Sequence, residues 1–589
     1  MITCLPATAL AQANTTDNKD WVNKSNNYTK ILIDIDKKYS PEFGSQQGVA
    51  FYDTLISVPT LANETSKRKE TEHAVAQLKE AKLKENNLAV KQDLDILIKE
   101  AELDFRNEDF TLHKEVPFRN ATGVVFGGLQ ILLDDQTPVE RRSAAANRLC
   151  KYAGLQSGYE PITAILKART IQQMRKPGIT YPSKQALEVA LSRNASIVTG
   201  IAGLFKKYNI TGWEDAYTAI KKQLEDYDAW IKANVLPKAR TDFKLPPEKY
   251  KLALEGYGID IPAGGVAAMA HMMFADIQNQ MKPMAAQIAK KYNLPSSDYR
   301  TVIQFLKKDQ LIGDSIIAVY KRHLADIEGI IRKHHLVTLP TRPAIIRLAS
   351  EAETAQQPAP HMVPPPFLNN TGQRGVFVLP LNMPAPAGEK VDKYDDFTFD
   401  AASWTIIAHE ARPGHEMQFD KMVEEGISQA RALYAFNSTN VEGWGLYSEY
   451  ITLPYMPLEG QLISLDFRLL RAARAFLDPK LQAGTITPKQ ALELLMKDVV
   501  QSHAFAQQEV ERYTLKSPGQ ANSYFYGFTK MIALRKDTEK ALGTKFNYQR
   551  FHDFLLSQGI LPPALIREAV MNDFVRKEKR QINAPKNEQ

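Results

Sequence analysis

The sequence predicts a mainly α-helical protein, and three observations carry that expectation. From about Trp21 to Asp104, apolar residues such as Leu78, Leu83, Leu88, Leu94, Leu97 and Ile98 recur near helical spacing among lysines and glutamates. Pro117, Pro138 and Pro161 then punctuate the chain into further helices. After Pro479, long helical segments with capping signals continue to Phe574, and the polar tail from Arg576 is expected to fray.

Taken in order, Met1 to about Ala13 is apolar and ends in Ala-Leu-Ala-Gln-Ala, the small-residue pattern of a signal-peptidase site. Residues 1–20 are therefore read as a signal-peptide remnant or disordered N-terminus. Export follows from that reading, to a bacterial periplasm or the medium. Cys4 lies inside this segment, so Cys150 is the one cysteine of the mature chain and no intrachain disulfide is expected. A chain of 589 residues can stabilise itself by core burial alone. Residues 21–350 are expected to form a helical lobe and 351–589 the lobe holding the site, in one continuous unit. Net charge is +7 with both signs interleaved, which leaves no nucleic-acid footprint. No apolar run reaches about eighteen residues, so no integral membrane helix is expected.

Leu245-Pro246-Pro247 marks a helix start. Gly256-Tyr257-Gly258 and Gly264-Gly265 lack a preceding strand and a Lys-Ser/Thr pair, and are read as loop and helix cap rather than a phosphate loop. His334-His335 has no third ligand nearby and is read as a solvated pair. Residues 353–390 are too rich in proline for helix. Within them, Gly375-Val376-Phe377-Val378-Leu379-Pro380 has the content of a short strand. It is either an edge strand whose Val376, Phe377 and Val378 pair with an extended substrate, or a structural strand covering the core.

The chemistry is concentrated in His409-Glu410-Ala411-Arg412-Pro413-Gly414-His415 and in Val441-Glu442-Gly443-Trp444-Gly445-Leu446-Tyr447-Ser448-Glu449. Two imidazoles and a carboxylate form a recurring ligand set for one catalytic zinc ion per chain, with a position left for water. In the common version the histidines stand four apart on one helix. Here the spacing is six, which at about 100° per residue puts His415 roughly 240° around a straight helix. The sequence supplies a break. Pro413 has no N–H and its ring collides with the carbonyl of His409; Arg412 is pushed from the helical region by the proline after it; Gly414 permits conformations closed to other residues. A helix from about Ala401 to Arg412, capped by Asp400, is expected before the break and another from His415 after it. A third, from about Val441 to Ile451, carries Glu442 and, almost two turns on, Glu449. Gly443 and Gly445 weaken that helix unless another backbone packs closely there.

The blocks HEARPGHEMQ, VEGWGLYSEY and EVERYTLKSPGQANSYFYG resemble the DUF885 family, bacterial proteins of unknown function usually grouped with gluzincin-type zinc peptidases. The likeness covers nearly the whole chain after the first twenty residues. It implies a large helical zincin fold with a short β edge element by the site. Two departures stand out. The spacing from Arg512-Tyr513 to Pro518-Gly519-Gln520-Ala521 is one residue longer than usual. The histidine that many relatives carry between the second and third blocks is missing near Leu477-Asp478-Pro479, so its role is not carried over.

His409 and His415 are expected ligands, with Glu442 as the third by analogy with gluzincins. Glu449 either ligates instead or holds a histidine ring by its second nitrogen. Glu410 is the expected general base and acid. Arg512, Tyr513 and Tyr524 are candidate donors to the oxyanion; Arg412 is expected to face solvent. The substrate class implied is peptides or oligopeptides. An amidase or esterase, or a zincin scaffold that binds peptides without cleaving them, remain alternatives. Glu410 argues against the last, since a binding module needs no base.

Overall fold

A computed structural model describes residues 20–583 apart from 313, 351–352, 355–356, 358 and 381–394. The signal-peptide reading of residues 1–20 falls almost wholly outside the described residues. The protein is mainly helical with one small sheet. The first helices, Asp20–Tyr39, Leu61–Lys84 and Leu88–Lys114, bury Leu32, Leu78, Leu94 and Leu97 between them. Leu83 and Leu88 leave that pattern, at 86% and 80% exposure. The helix breaks between them, and the side chain of Asn87 caps the next one by accepting from the amides of Ala89 and Val90.

A second apolar core runs from Ile56 to Val235. The largest takes in Ile96, Leu254 and residues from Ile259 to Val575, and surrounds the candidate site. Its main elements are α1 (Ala263–Lys291), α2 (Asp314–Lys333), α3 (Asp400–Glu410), α4 (His415–Glu425), α5 (Ser438–Thr452), α6 (Leu458–Gln482), α7 (His503–Glu511) and α8 (Ala521–Leu542). α6 packs along α1, α3 and α8, while α5 lies against α8 and α3. Helices from before and after residue 350 therefore share one apolar interior. The helix expected to start at Leu245-Pro246-Pro247 spans Pro247–Gly256, with Pro246 at its N-cap and Pro247 its first residue, and Gly258 turns the chain at φ +84 after it. His334 stacks on Tyr455 at 3.9 Å. The C-terminal segment expected to fray is helical over Val575–Asn583, and its Glu578 accepts from Arg550.

Three strands, β1 (Ile345–Leu348), β2 (His361–Val363) and β3 (Val376–Leu379), form a sheet in the order β1-β3-β2. β3 is parallel to β1 and antiparallel to β2. This corrects the edge-strand expectation. Val376, Phe377 and Val378 pair on both sides and are buried, so their backbone is closed to a substrate. The reason is in the residues: an unbroken apolar run, without polar alternation, belongs to a strand covered on both faces.

Candidate metal centre

α3 is buried over almost its whole length and ends with His409 and Glu410. Phe399, in extended conformation, holds the N-cap position expected of Asp400, which instead pairs with Arg322 at 3.2 Å. The helix stops at Ala411, with ψ −99, and the Arg412-Pro413 peptide is cis. The chain then returns so closely on itself that a Cβ at position 414 would stand 1.8 Å from the His409 carbonyl oxygen. Glycine is required there by contact. His415 begins α4 beyond the turn, its ring centroid 4.6 Å from that of His409. The indole N–H of Trp444 donates to the Pro413 carbonyl at 2.9 Å and pins the turn.

Arg412 does not face solvent. It is buried under the turn, donating to Glu416 at 2.8 Å and to Glu328 at 2.7 Å, and also to the Arg342 carbonyl. The break at Pro413 folds the chain inward, and Glu416 lies four residues on to receive the guanidinium. Arg412 is thus unavailable to a substrate.

α5 supplies the carboxylates. The Asn437 side chain accepts from the Asn440 amide at 2.7 Å, which starts this helix earlier than the apolar pattern indicated. Glu442 Oε2 lies 3.3 Å from His409 Nε2 and 3.4 Å from His415 Nε2. Ligands about 2.0–2.1 Å from a tetrahedral ion stand about 3.3–3.4 Å apart, so these separations fit the edges of such a site. The ligand atoms of His409, His415 and Glu442 all lie within 4.8 Å of one another, and this group can hold a metal ion. Glu449 Oε1 sits 2.7 Å from His409 Nδ1, and its other oxygen accepts from Thr405 at 3.0 Å. Because Nδ1–H is donated to Glu449, loss of the Nε2 proton would leave Nε2 with a lone pair toward Glu442 and His415. Burial works against ionisation of Glu442, yet hydrogen bonds from the two histidines hold its carboxyl well below the usual range. The His415 ring is held less completely: its Nδ1 is buried without a hydrogen bond among the described residues.

The glycines of α5 are explained by close approach. A Cβ at Gly443 would meet the Gly527 backbone of α8 at 2.6 Å, and one at Gly445 would meet His409 Cε1 at 2.6 Å. The first lets two helices touch; the second makes room for the His409 ring.

A cavity of about 40 Å³ adjoins His409 and Glu410. Its apolar wall includes Ile406, Phe397, Phe467 and Phe505, and its polar wall Arg471, Arg474, Arg512 and Tyr524. Glu410 is partly buried there, and burial pushes its carboxyl up to about 8 against the pull of His415. The Tyr524 ring lies nearly parallel to that of His409 at 6.3 Å, and Arg512 Nη1 donates to the Tyr524 hydroxyl at 3.3 Å. Tyr513 is elsewhere: fully buried, it donates its hydroxyl to Glu509 at 2.7 Å and is absent from the cavity wall. Arg512–Lys516 forms a π-helical turn directly after α7. Asp478 accepts from the Gly519 amide at 2.9 Å.

Arg471 and Arg474 were not singled out from the sequence. The signal was present, since Arg468, Arg471 and Arg474 recur every three residues among the leucines, alanines and phenylalanines of one helix and so share one face.

A comparison with curated proteins finds no match. Among solved structures, "a putative lipoprotein of unknown function from Shewanella oneidensis" superposes with a TM-score of 0.68 at 19% identity, over 92% of this chain and 99% of that one. "The putative lipoprotein from Colwellia psychrerythraea" gives 0.70 at 17% identity, over 95% and 98%. At such identities the likeness establishes the fold. The family described as "Bacterial protein of unknown function (DUF885)" matches residues 41–570, which take in every residue of the centre; the chain belongs to the DUF885 family.

Proposed function

We propose that the chain is an exported, gluzincin-like zinc peptidase that hydrolyses peptide bonds in peptides or oligopeptides. One observation carries the reading: two imidazole nitrogens from either side of a backbone break stand 3.3 and 3.4 Å from the same carboxylate oxygen, beside a cavity walled by Glu410. A zinc ion held by His409, His415 and Glu442 would supply a water with a pKa near 7 and polarisation of the substrate carbonyl.

The remaining roles fall to the chain's own residues. Glu449 fixes the tautomer and orientation of His409. Glu410 takes the proton of the attacking water and returns it to the leaving amine. Its carboxyl, pushed up to about 8 by burial, is drawn back toward neutrality by any cation beside it, near the value best suited to both steps. Burial also raises the Tyr524 phenol, which stays protonated and donates to the oxyanion together with Arg512. Phe397, Phe467 and Phe505 keep bulk water from these groups, which strengthens each charge interaction. The N-terminal Ala-Leu-Ala-Gln-Ala and the lipoprotein titles of the similar structures support an exported location.

A peptide-library digest read by mass spectrometry, with and without a chelator, tests the activity. Cleavage that disappears with chelation and returns with zinc is the expected result. Glu410→Gln is expected to retain zinc and lose at least about 100-fold in turnover. A zinc-loaded protein that cleaves no library member, or a glutamine variant as fast as wild type, overturns the reading.

A further inference from the structure

The guanidinium wall of the cavity exceeds what the metal centre requires. Arg474 is satisfied, bidentate to Glu509 at 2.6 and 2.7 Å, and lies over the Tyr524 ring at 4.3 Å. Arg512 reaches the same Glu509 at 3.8 Å. Arg471 approaches Glu449 at 3.4 Å, but that oxygen is already bound to His409. Its Nε is buried without a hydrogen bond among the described residues. One turn earlier, Arg468 is buried with Nε and Nη2 in the same condition. Carboxylates stand near these guanidiniums, among them Glu449, Glu509, Glu410 and Glu442, yet those Arg471 and Arg468 N–H groups find no acceptor among the described residues.

Buried guanidinium N–H groups left without an acceptor are disfavoured unless a ligand completes them. An anion is the complement, and a planar one with two oxygens matches the guanidinium fork. At about 40 Å³ the cavity has room for a group of carboxylate size and little more. Because Glu410 and His409 line the same cavity, that carboxylate sits close to the bond being cut.

We propose that Arg471, with Arg512 beside it, binds a substrate carboxylate adjacent to the scissile bond, so that the enzyme selects peptides with a negative charge at that position. This rests on the peptidase reading. The shared chemistry has two sources, the free C-terminus of the peptide or an aspartate or glutamate side chain.

Two matched pairs of peptides separate them, with binding measured by calorimetry on the full-length protein and hydrolysis measured in parallel. One pair differs as C-terminal acid and amide; the other, both amidated, carries glutamate or glutamine. The charged member of at least one pair is expected to bind about tenfold or more tighter. Preference in the first pair identifies the C-terminus, and in the second a side chain. Arg471→Met is expected to reduce the preference to less than about threefold while the neutral peptide binds as before. A residue that only supported Glu449 would weaken both members equally and leave their ratio unchanged. The wild-type ratio is informative even if the variant does not fold. Peptides hydrolysed with no preference in either pair overturn the anion site and leave the peptidase standing. Charged peptides bound tightly but never cut sink the peptidase and leave the anion site.

Discussion

The contact between Gly445 and His409 makes a prediction whose size follows from the structure. In Gly445→Ala the new Cβ would stand 2.6 Å from His409 Cε1, 2.8 Å from Nε2 and 2.9 Å from Nδ1. Carbon atoms at rest sit about 3.5–4.0 Å apart, so the ring must retreat by about 1 Å. It has little room to do so. Glu449 grips Nδ1 at 2.7 Å, and a displacement of about 1 Å takes that bond beyond hydrogen-bonding distance. Overpacking of this kind costs about 1–3 kcal/mol. Loss of the partner that orients a ligand typically weakens metal binding about 10–100-fold. Zinc affinity by chelator competition, and melting temperature with and without chelator, are the assays. Gly443→Ala is the matched control. Its Cβ would collide with the Gly527 backbone, so it should destabilise the protein by a similar amount with far less effect on zinc affinity. If Gly445→Ala binds zinc within about twofold of wild type, the ring is not where the metal is held.

Other perturbations test the surrounding structure. Glu449→Gln, which weakens the charged bond to His409 Nδ1, should lower zinc affinity about 10–100-fold with the metal-free fold intact; unchanged affinity would falsify the orienting role. Arg412→Ala removes the donor shared by Glu416, Glu328 and the Arg342 carbonyl. Because burial pushes the Glu416 carboxyl up to about 8, the cost is that of lost hydrogen bonds rather than of a stranded charge, about 1–3 kcal/mol in urea unfolding, and no measurable loss counts against these bonds. His552, buried between the Tyr447 hydroxyl and the Leu336 carbonyl, is pushed down to about 4 by burial. Above about pH 6.5 it is neutral folded or unfolded. As the pH falls from there to about 4 the unfolded chain takes a proton that the folded one refuses, so about 3 kcal/mol of stability is lost. His552→Gln should melt with a flatter pH profile across that window, and coincident profiles rule this out.

Much of the centre was legible because its residues conflict with regular helix. A histidine spacing of six, with Pro413 and Gly414 inside it, requires a bend, and the bend places both rings. Glycines in a helix are unfavourable by themselves, so Gly443 and Gly445 signalled close packing before its partners were known. The site's surroundings were harder to read. Val376–Leu379 was identifiable as a strand, but not as the central one, because its neighbours lie 31 and 15 residues earlier in the chain (376 minus 345 and 376 minus 361) and register is set by pairing. Arg412 looked like a solvent residue because one of its counter-ions, Glu328, is 84 residues away, and the nearer one, Glu416, gives no sign in the sequence of being buried.

The sequence alone determined which elements form: a helical protein whose apolar periodicities, caps and prolines are local, and a break between two imidazoles that is encoded within seven residues. Only the tertiary structure decided which groups share a space. Glu442 and Glu449 divide the two sides of the His409 ring, Tyr513 is taken by Glu509, and a wall of arginines faces the cavity. Those outcomes depend on how α3, α5, α6 and α8 cross, and helix crossing is fixed by packing among residues far apart in the chain, which local periodicity does not record.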